Sequence, residues 1–499
     1  MVTRHPNPPN RQLSKEAAVK IRQQMGLTFD DVLLVPQYSP IRSRSSVDIS
    51  TSLVPGIDLQ LPVVSSNMDT VTEERMAIAL AQAGGIGIIH RFLTIDDQAE
   101  LVRGVKRSES FIVEDPVTIS PQTSLAEARE IMREIDIGGL VVTDQAGRLL
   151  GLLTTRDLIL APDLSAPVAS AMTPREDVVT ASMQEPLKEA RLTLHRHRIE
   201  KLPLIDEENY VQGLITAQDI IKSQEHPQAT KDHKGQLMVG VAVGVHPEDL
   251  QRAEVCLEAG ADVLVVDVAH GHAEHTLSMV KKLKTRFPDT PVIAGNVATP
   301  QGVKDLAKAG ADAVKVGVGA GSICITRVVT GFGVPQLTAV ADCARAGQEL
   351  GIPIIADGGI RKSGDIAKAI GAGASTVMLG SLLAGTDESP GAAVIRDGEQ
   401  KKIIRGMASL SANVERKTLD DASGQDEIDY GEVVPEGVEA VVPYRGPVED
   451  ILHQLMGGLR SGMSYAGART IAEFWEKAEF IQITPAGKLE SGVHDVDLL

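Results

Sequence analysis

The chain has 499 residues, with 49 Lys and Arg against 67 Asp and Glu and a formal net charge of −18. That length exceeds one ordinary domain, and 43% hydrophobic with 23% charged residues is a globular composition with ample core. So acidic a balance argues against a nucleic acid polymer as main partner, since it repels phosphate backbones, while small anions can still be held locally by glycine-rich backbone.

The three cysteines, Cys256, Cys324 and Cys343, give no disulfide framework and suit a reducing compartment. The opening MVTRHPNPPNRQLSK has no apolar stretch of the signal-peptide kind. The longest apolar run, Met76 to Ile89, is broken by Gln82 and glycines and is too short for a bilayer, so a cytoplasmic protein without membrane association is expected.

In chain order, short apolar runs ending in Gly, Asp or Ser alternate with helical patterns. They are LPVVSSNMD (61–69), GIGIIHR (85–91), LMVGVAVG (237–244), DVLVVDVAHG (262–271), PVIAGNV (291–297), DAVKVGVGAG (312–321), PIIADGG (353–359) and TVMLGSLLAG (376–385). Continuous apolar strands with helices between them predict an α/β fold whose parallel sheet is buried on both faces. Eight such strands close a (β/α)8 TIM barrel, with an open doubly wound sheet as the structural alternative.

Far more chain than one helix needs separates the second and third strands. Residues 111–228 hold an internal repeat, in which DPVTISPQTSLAEAREIMREIDIGGLVVTDQAGRLLGLLTTRDLI is echoed by DVVTASMQEPLKEARLTLHRHRIEKLPLIDEENYVQGLITAQDII. The copies occupy about 111–172 and 173–228 and divide the barrel into residues 1–110 and 229–499. The repeat resembles a tandem pair of cystathionine-β-synthase (CBS) domains, a Bateman module. The resemblance implies that Thr154 and Asp157 in the first copy, and Thr216 and Asp219 in the second, contact regulatory adenine or guanine nucleotides. The competing reading is that Thr and Asp cap helices and the insert is structural.

In a barrel, chemistry sits at the C-terminal ends of the strands. The loop after the sixth strand, GVGAGSICITRVVTGFGVPQ (317–336), exposes backbone groups suited to an ion or a phosphate and carries Cys324 at a strand end. Cys256 and Cys343 lie in helical patterns and read as core thiols, which leaves Cys324 as the candidate nucleophile. His270, His272 and His275 form an H-x-H-x-x-H string that reads as loop histidines, and KKLKTR (281–286) reads as an exposed helix face.

GVGAGSICITR, together with LTFDDVLLVP, MDTVTE, GGIGIIHR, AGNV, ADGGI and GGLRSGMSYAGA, resembles the IMP dehydrogenase/GMP reductase family over residues 26–495. The resemblance implies that Cys324 attacks C2 of a purine mononucleotide and that a nicotinamide cofactor exchanges hydride at that carbon. It places the phosphate against Ser322, Gly359, Gly380 and Ser381, the ribose on Asp357, and the base edge on Met407 beside Gly406, with Asn67 and Met68 of NMDTV also on the substrate side. Asp267 and Asn296 would face the nicotinamide. Carbonyls of Gly319, Gly321 and Cys324 would bind potassium, completed by Glu490, Ser491 and Gly492 of a neighbouring subunit, which implies a homotetramer or octamer. Ile404 departs from the family, which carries a phosphate-contacting tyrosine there.

The direction of the reaction turns on the later segment RKTLDDASGQDEIDYGEVVPEG (416–437). IMP dehydrogenases hydrolyse the adduct with an Arg-Tyr pair about ten residues before VPEG, and this segment has none. Asp420, Asp421, Asp426, Glu427 and Asp429 occupy the place instead. GMP reductases need no hydrolysis, and their proton transfers are assigned to positions that are Thr326 and Glu436 here. The expected activity is therefore reduction of GMP to IMP and ammonia with NADPH. The alternatives are an NAD-dependent IMP dehydrogenase, favoured by the ESGVHDV tail, and a nucleotide-binding regulatory protein with weak turnover.

Overall fold

The computed structural model describes residues 20–493 apart from 110–111, 115, 136, 184, 223–225, 413 and 415–433, and gives the backbone alone for Leu187, Asp219, Ile221 and Lys222. Eight parallel strands form a closed barrel. They are β1 (Val63–Ser65), β2 (Ile86–Ile89), β3 (Val239–Val243), β4 (Val263–Asp267), β5 (Val292–Val297), β6 (Ala313–Val316), β7 (Ile354–Asp357) and β8 (Thr376–Leu379). Closure pairs Val377 of β8 with Val63 of β1, and β2 pairs with β3 through Gly87 and Val239 in spite of the long insertion between them. These are the eight runs expected from the sequence, closed into a (β/α)8 barrel.

Side chains alternate along each strand, and the two faces enter different parts of the core. Val64, Ile86, Ile88, Ala242, Val263, Val265, Ile293, Ala313, Ile355 and Met378 fill the interior. Their neighbours, such as Val241, Leu264, Val266, Val314 and Ala356, pack outward against the surrounding helices. A hairpin of Thr51–Val54 and Ile57–Leu59, which the apolar-run criterion passes over, adds Leu53, Val54, Ile57 and Leu59 to the interior cluster.

The inserted segment leaves after the helix Ile95–Ser108 and carries its own sheets. The first has strands Thr118–Ile119, Gly139–Thr143, Leu149–Thr154 and Thr173–Pro174, and the second pairs Lys201–Ile205 with Val211–Thr216. Each has a separate apolar core, and Val141, Leu149, Leu152, Val178 and Leu214 form a further cluster spanning the two. Arg148 stacks 5.1 Å over the Tyr210 ring at this junction. Where the chain returns, Lys231 pairs with Glu109 at 2.9 Å and Lys234 with Glu114 at 2.7 Å, so the exit lies beside the entry.

Candidate active site at the barrel mouth

Cys324 follows β6 in the glycine-rich loop and is held by a second segment. Ile325 N–H donates to Glu436 O (2.8 Å), Val438 N–H donates to Ile323 O (3.0 Å), and Cys324 bridges Gly437 in antiparallel fashion. Segments more than a hundred residues apart are thereby clamped together, which brings three side chains into line. Thr326 Oγ1 donates to Glu436 Oε2 at 2.7 Å, and the Cys324 thiol lies 3.1 Å from Thr326 Oγ1. A hydroxyl has one proton, so with it given to Glu436 the oxygen accepts from the thiol. The result is a continuous path for a proton from sulfur to carboxylate.

The other two thiols sit in different surroundings. Cys256 and Cys343 are buried in helices Asp249–Glu258 and Gln336–Leu350, and burial pushes their thiols up to about 11 and about 12. Cys324 is half-buried, the exposure a reactive thiol needs.

The loop after β7 meets this loop closely. Gly358 and Gly359 both have left-handed φ (+95° and +78°), and a Cβ on Gly358 would stand 3.1 Å from Gly321 N. Across the same region the Ser322 and Ser381 hydroxyls are 3.2 Å apart, and Gly380 approaches Met68, whose sulfur would lie 3.4 Å from a Cβ there. Met407 Sδ accepts from Asp69 N–H (3.4 Å), and Gly406 N–H donates to Val438 O (3.0 Å). Ser322, Gly359, Gly380, Ser381, Met68, Gly406 and Met407 thus surround the mouth together with Cys324. Ile404 is 1% exposed and packs in the core, so no phosphate contact comes from its side chain.

Asp357, Asp267, Asn296 and Asn67 also converge, around a residue that the sequence did not single out. Lys315 Nζ lies 2.6 Å from Asp267 Oδ1 and 2.7 Å from Asp357 Oδ2, and also bonds the Asn296 side-chain oxygen. Asn67 donates to Asp267 Oδ2 (2.8 Å), and Asn296 donates to Asp357 Oδ2 and Gly317 O (both 2.8 Å). Burial works against charge on Asp267, but Lys315, Asn67 and the nearby Arg91 outweigh it and hold the carboxyl below its ordinary range. Burial likewise opposes the Lys315 charge, yet Asp267 and Asp357 raise its pKa above the usual lysine value. A lysine inside the apolar run DAVKVGVG is the signal that would have found it.

Other expected residues lie apart from the mouth. Thr154 and Asp157 form a capping box, both the N–H and the hydroxyl of Thr154 donating to Asp157 Oδ2 at 2.7 Å. Thr216 ends the strand Val211–Thr216, while the side chain of Asp219 lies outside the described residues. Gly319 (φ +73°) and Gly321 stand in the loop before Cys324, and Gly321 O accepts from Cys324 N–H at 3.2 Å. Glu490 ends the helix Pro485–Glu490 and Ser491 and Gly492 follow it, the helix being tied back through Lys488 to Asp30 at 3.0 Å. His272 pairs with Asp305 at 2.8 Å. The acidic segment from Arg416 to Glu432 falls outside the described residues.

Residues 26–494 match the family model described as IMP dehydrogenase / GMP reductase domain. The chain belongs to the IMP dehydrogenase/GMP reductase family. Relatives within this family carry both names. Inosine-5'-monophosphate dehydrogenase of Nitrosopumilus maritimus (strain SCM1) is 56% identical over 474 residues, covering 95% of this chain and 99% of that one. GMP reductase of Leishmania donovani is 49% identical over 483 residues, covering 95% and 98%. A solved Trypanosoma brucei GMP reductase variant, in complex with guanosine 5'-monophosphate, superposes with a TM-score of 0.82 at 45% identity, covering 97% of this chain and all (100%) of that one. The family comprises oxidoreductases of purine nucleotides that use NAD(P), and among the described residues no helix is long and apolar enough to cross a membrane.

Proposed function

We propose that this family member is a GMP reductase, converting GMP, NADPH and two protons to IMP, NADP⁺ and ammonium. The observation that carries the reading is the segment 416–437, which lacks the Arg-Tyr pair a hydrolytic step would use. The Cys324–Thr326–Glu436 chain supplies what a reductase does need. Loss of the thiol proton along this chain leaves a thiolate to attack C2 of GMP. The same path returns a proton to the departing amino group, so ammonia rather than amide anion leaves. A nicotinamide cofactor, when bound, supplies hydride to the resulting thioimidate carbon, and breaking of the C–S bond then frees IMP and restores Cys324.

The residues fit a purine nucleotide and a nicotinamide cofactor side by side. Asp357 Oδ1 takes no hydrogen bond from the protein among the described residues and suits a ribose hydroxyl. Ser322, Ser381, Gly359 and Gly380 would hold the phosphate, and Met68, Gly406 and Met407 would border the base. Asp267 would form the cofactor side, with Asn67 and Asn296 fixing the carboxylates because their amide groups are already engaged. We further assign a potassium site to the carbonyls of Gly319, Gly321 and Cys324 with Glu490, Ser491 and Gly492 of a neighbouring subunit in a cytoplasmic homotetramer or octamer. Regulatory nucleotides are assigned to the CBS-like pair at 111–228, near Thr154, Asp157, Thr216 and Asp219.

The second reading, an NAD-dependent IMP dehydrogenase, is favoured by the 56% identity to the Nitrosopumilus enzyme. Incubation with GMP and NADPH, and separately with IMP and NAD⁺, decides between them. Oxidation of NADPH with ammonium release is expected. Formation of NADH and XMP from IMP overturns the reductase reading. Cys324→Ala abolishes turnover in either direction.

A further inference from the structure

The barrel interior is apolar through its lower layers and ionic in its upper one. On β4 the inward positions run Val263, Val265, Asp267; on β6 they run Ala313, Lys315; on β7 they run Ile355, Asp357. Lys315 is only 2% exposed. An ammonium has three protons, and three acceptors from three different strands receive them: Asp267 of β4, Asn296 of β5 and Asp357 of β7. A buried charge placed in a barrel core is costly unless fully paired, and here every donor is engaged.

The arrangement divides the carboxylates. Asp267 has one oxygen on Lys315 and the other on Asn67, while Asp357 has one oxygen on Lys315 and Asn296 and keeps the other for a ligand. Two carboxylates held within reach of one ammonium repel each other once that charge is removed, and one of them then takes a proton or turns away. Arg91 is the other cation acting on Asp267. A neutral side chain of the same length leaves both carboxylates without their common anchor.

We propose that Lys315 is a positioning residue that ties the sugar-binding carboxylate Asp357 to the cofactor-side carboxylate Asp267, so that nucleotide and nicotinamide cofactor occupy the mouth as a coupled pair. The proposal rests on the placement of nucleotide and cofactor given above, and holds for either direction of the reaction. Lys315 touches neither ligand; it acts through the orientation and charge of the two aspartates.

The test compares Lys315→Met with the parent chain, both carrying Cys324→Ala so that no chemistry intervenes. Dissociation constants for GMP and for NADPH are measured separately by calorimetry. Both are expected to rise about tenfold or more. A rise confined to one ligand, or to neither, overturns the proposal. Should Lys315→Met fail to fold, Asp267→Asn with Lys315 intact decides: it is expected to weaken GMP several-fold through the shared ammonium, and unchanged GMP affinity overturns the tie. Failure of the reductase reading shows elsewhere, as turnover of IMP with NAD⁺ by the untouched chain, and IMP and NAD⁺ then replace the two ligands in the same measurement.

Discussion

Asp262 stands just before strand β4 and Asp267 ends it, and each aspartate belongs to a largely buried group of one lysine and two carboxylates. At the mouth these are Lys315, Asp267 and Asp357. At the opposite end Lys106 lies 3.0 Å from Asp232 and 2.8 Å from Asp262, and Asp262 also accepts from Val239 N–H at 2.8 Å. The composition is the same, yet the ionisation differs. Burial pushes Asp262 up to about 6, more than Lys106 offsets, and the Asp232 charge adds to the rise. Asp267 is buried too, but Lys315 outweighs that burial, with Asn67 donating and Arg91 adding a second positive charge, and the carboxyl stays below the ordinary range. One lysine between two carboxylates does not by itself fix their charge; the count of cations and the remaining donors do.

The groups also join different things. Lys106 lies on the helix that precedes the insert, Asp232 in the segment that returns from it, and Asp262 immediately before β4. That end staples chain segments, whereas the mouth leaves Asp357 Oδ1 without a hydrogen bond from the protein among the described residues. Substitutions test this division. Thr326→Val, which interrupts the proton path at the mouth, is expected to lower kcat about a hundredfold with no change in the melting temperature; a comparable fall in stability would contradict it. Lys106→Met is expected to cost about 3 kcal/mol, the scale for breaking a buried ion pair, while KM for both substrates stays as it was. Denaturant unfolding and steady-state kinetics on the same sample show which end the effect belongs to.

The raised Asp262 carboxyl sets a smaller, pH-dependent effect. Its folded value lies above the unfolded 3.8, so the folded chain binds the extra proton between about pH 4 and about pH 6. Wild-type stability, relative to Asp262→Asn, therefore falls as pH rises through that window and is level above it. A stability difference that instead rises with pH would show that Lys106 more than offsets the burial. The smallest effect is on the thiols: a native chain is expected to react with a thiol reagent at Cys324 quickly, and at Cys256 and Cys343 only after denaturation, since both are buried with raised pKa values.

The barrel was legible because parallel strands buried on both faces are written as uninterrupted apolar runs, and all eight stand where those runs stand. Cys324, Thr326 and Glu436 were legible through motifs, although only the clamp between Ile325 and Glu436 shows why residues so distant in sequence meet. Lys315 was not, because its meaning lies in side chains on β4, β5 and β7 that become neighbours only when the barrel closes. For Thr154 and Asp157 the sequence carries two readings, and the capping box accounts for the local one. Ile404 was visible as a departure, and its burial supplies the physical sense of it: an apolar side chain serves the core there.

The adjacency of the insert's entry and exit also bears on how the chain folds. β2 must find β3 across the whole inserted segment, and an unstructured connection of that length slows the search. With its own apolar cores, the insert can collapse by itself, and the Glu109–Lys231 and Glu114–Lys234 contacts then hold its two stems side by side. To the growing barrel, a guest folded in this way is no longer than a tight turn.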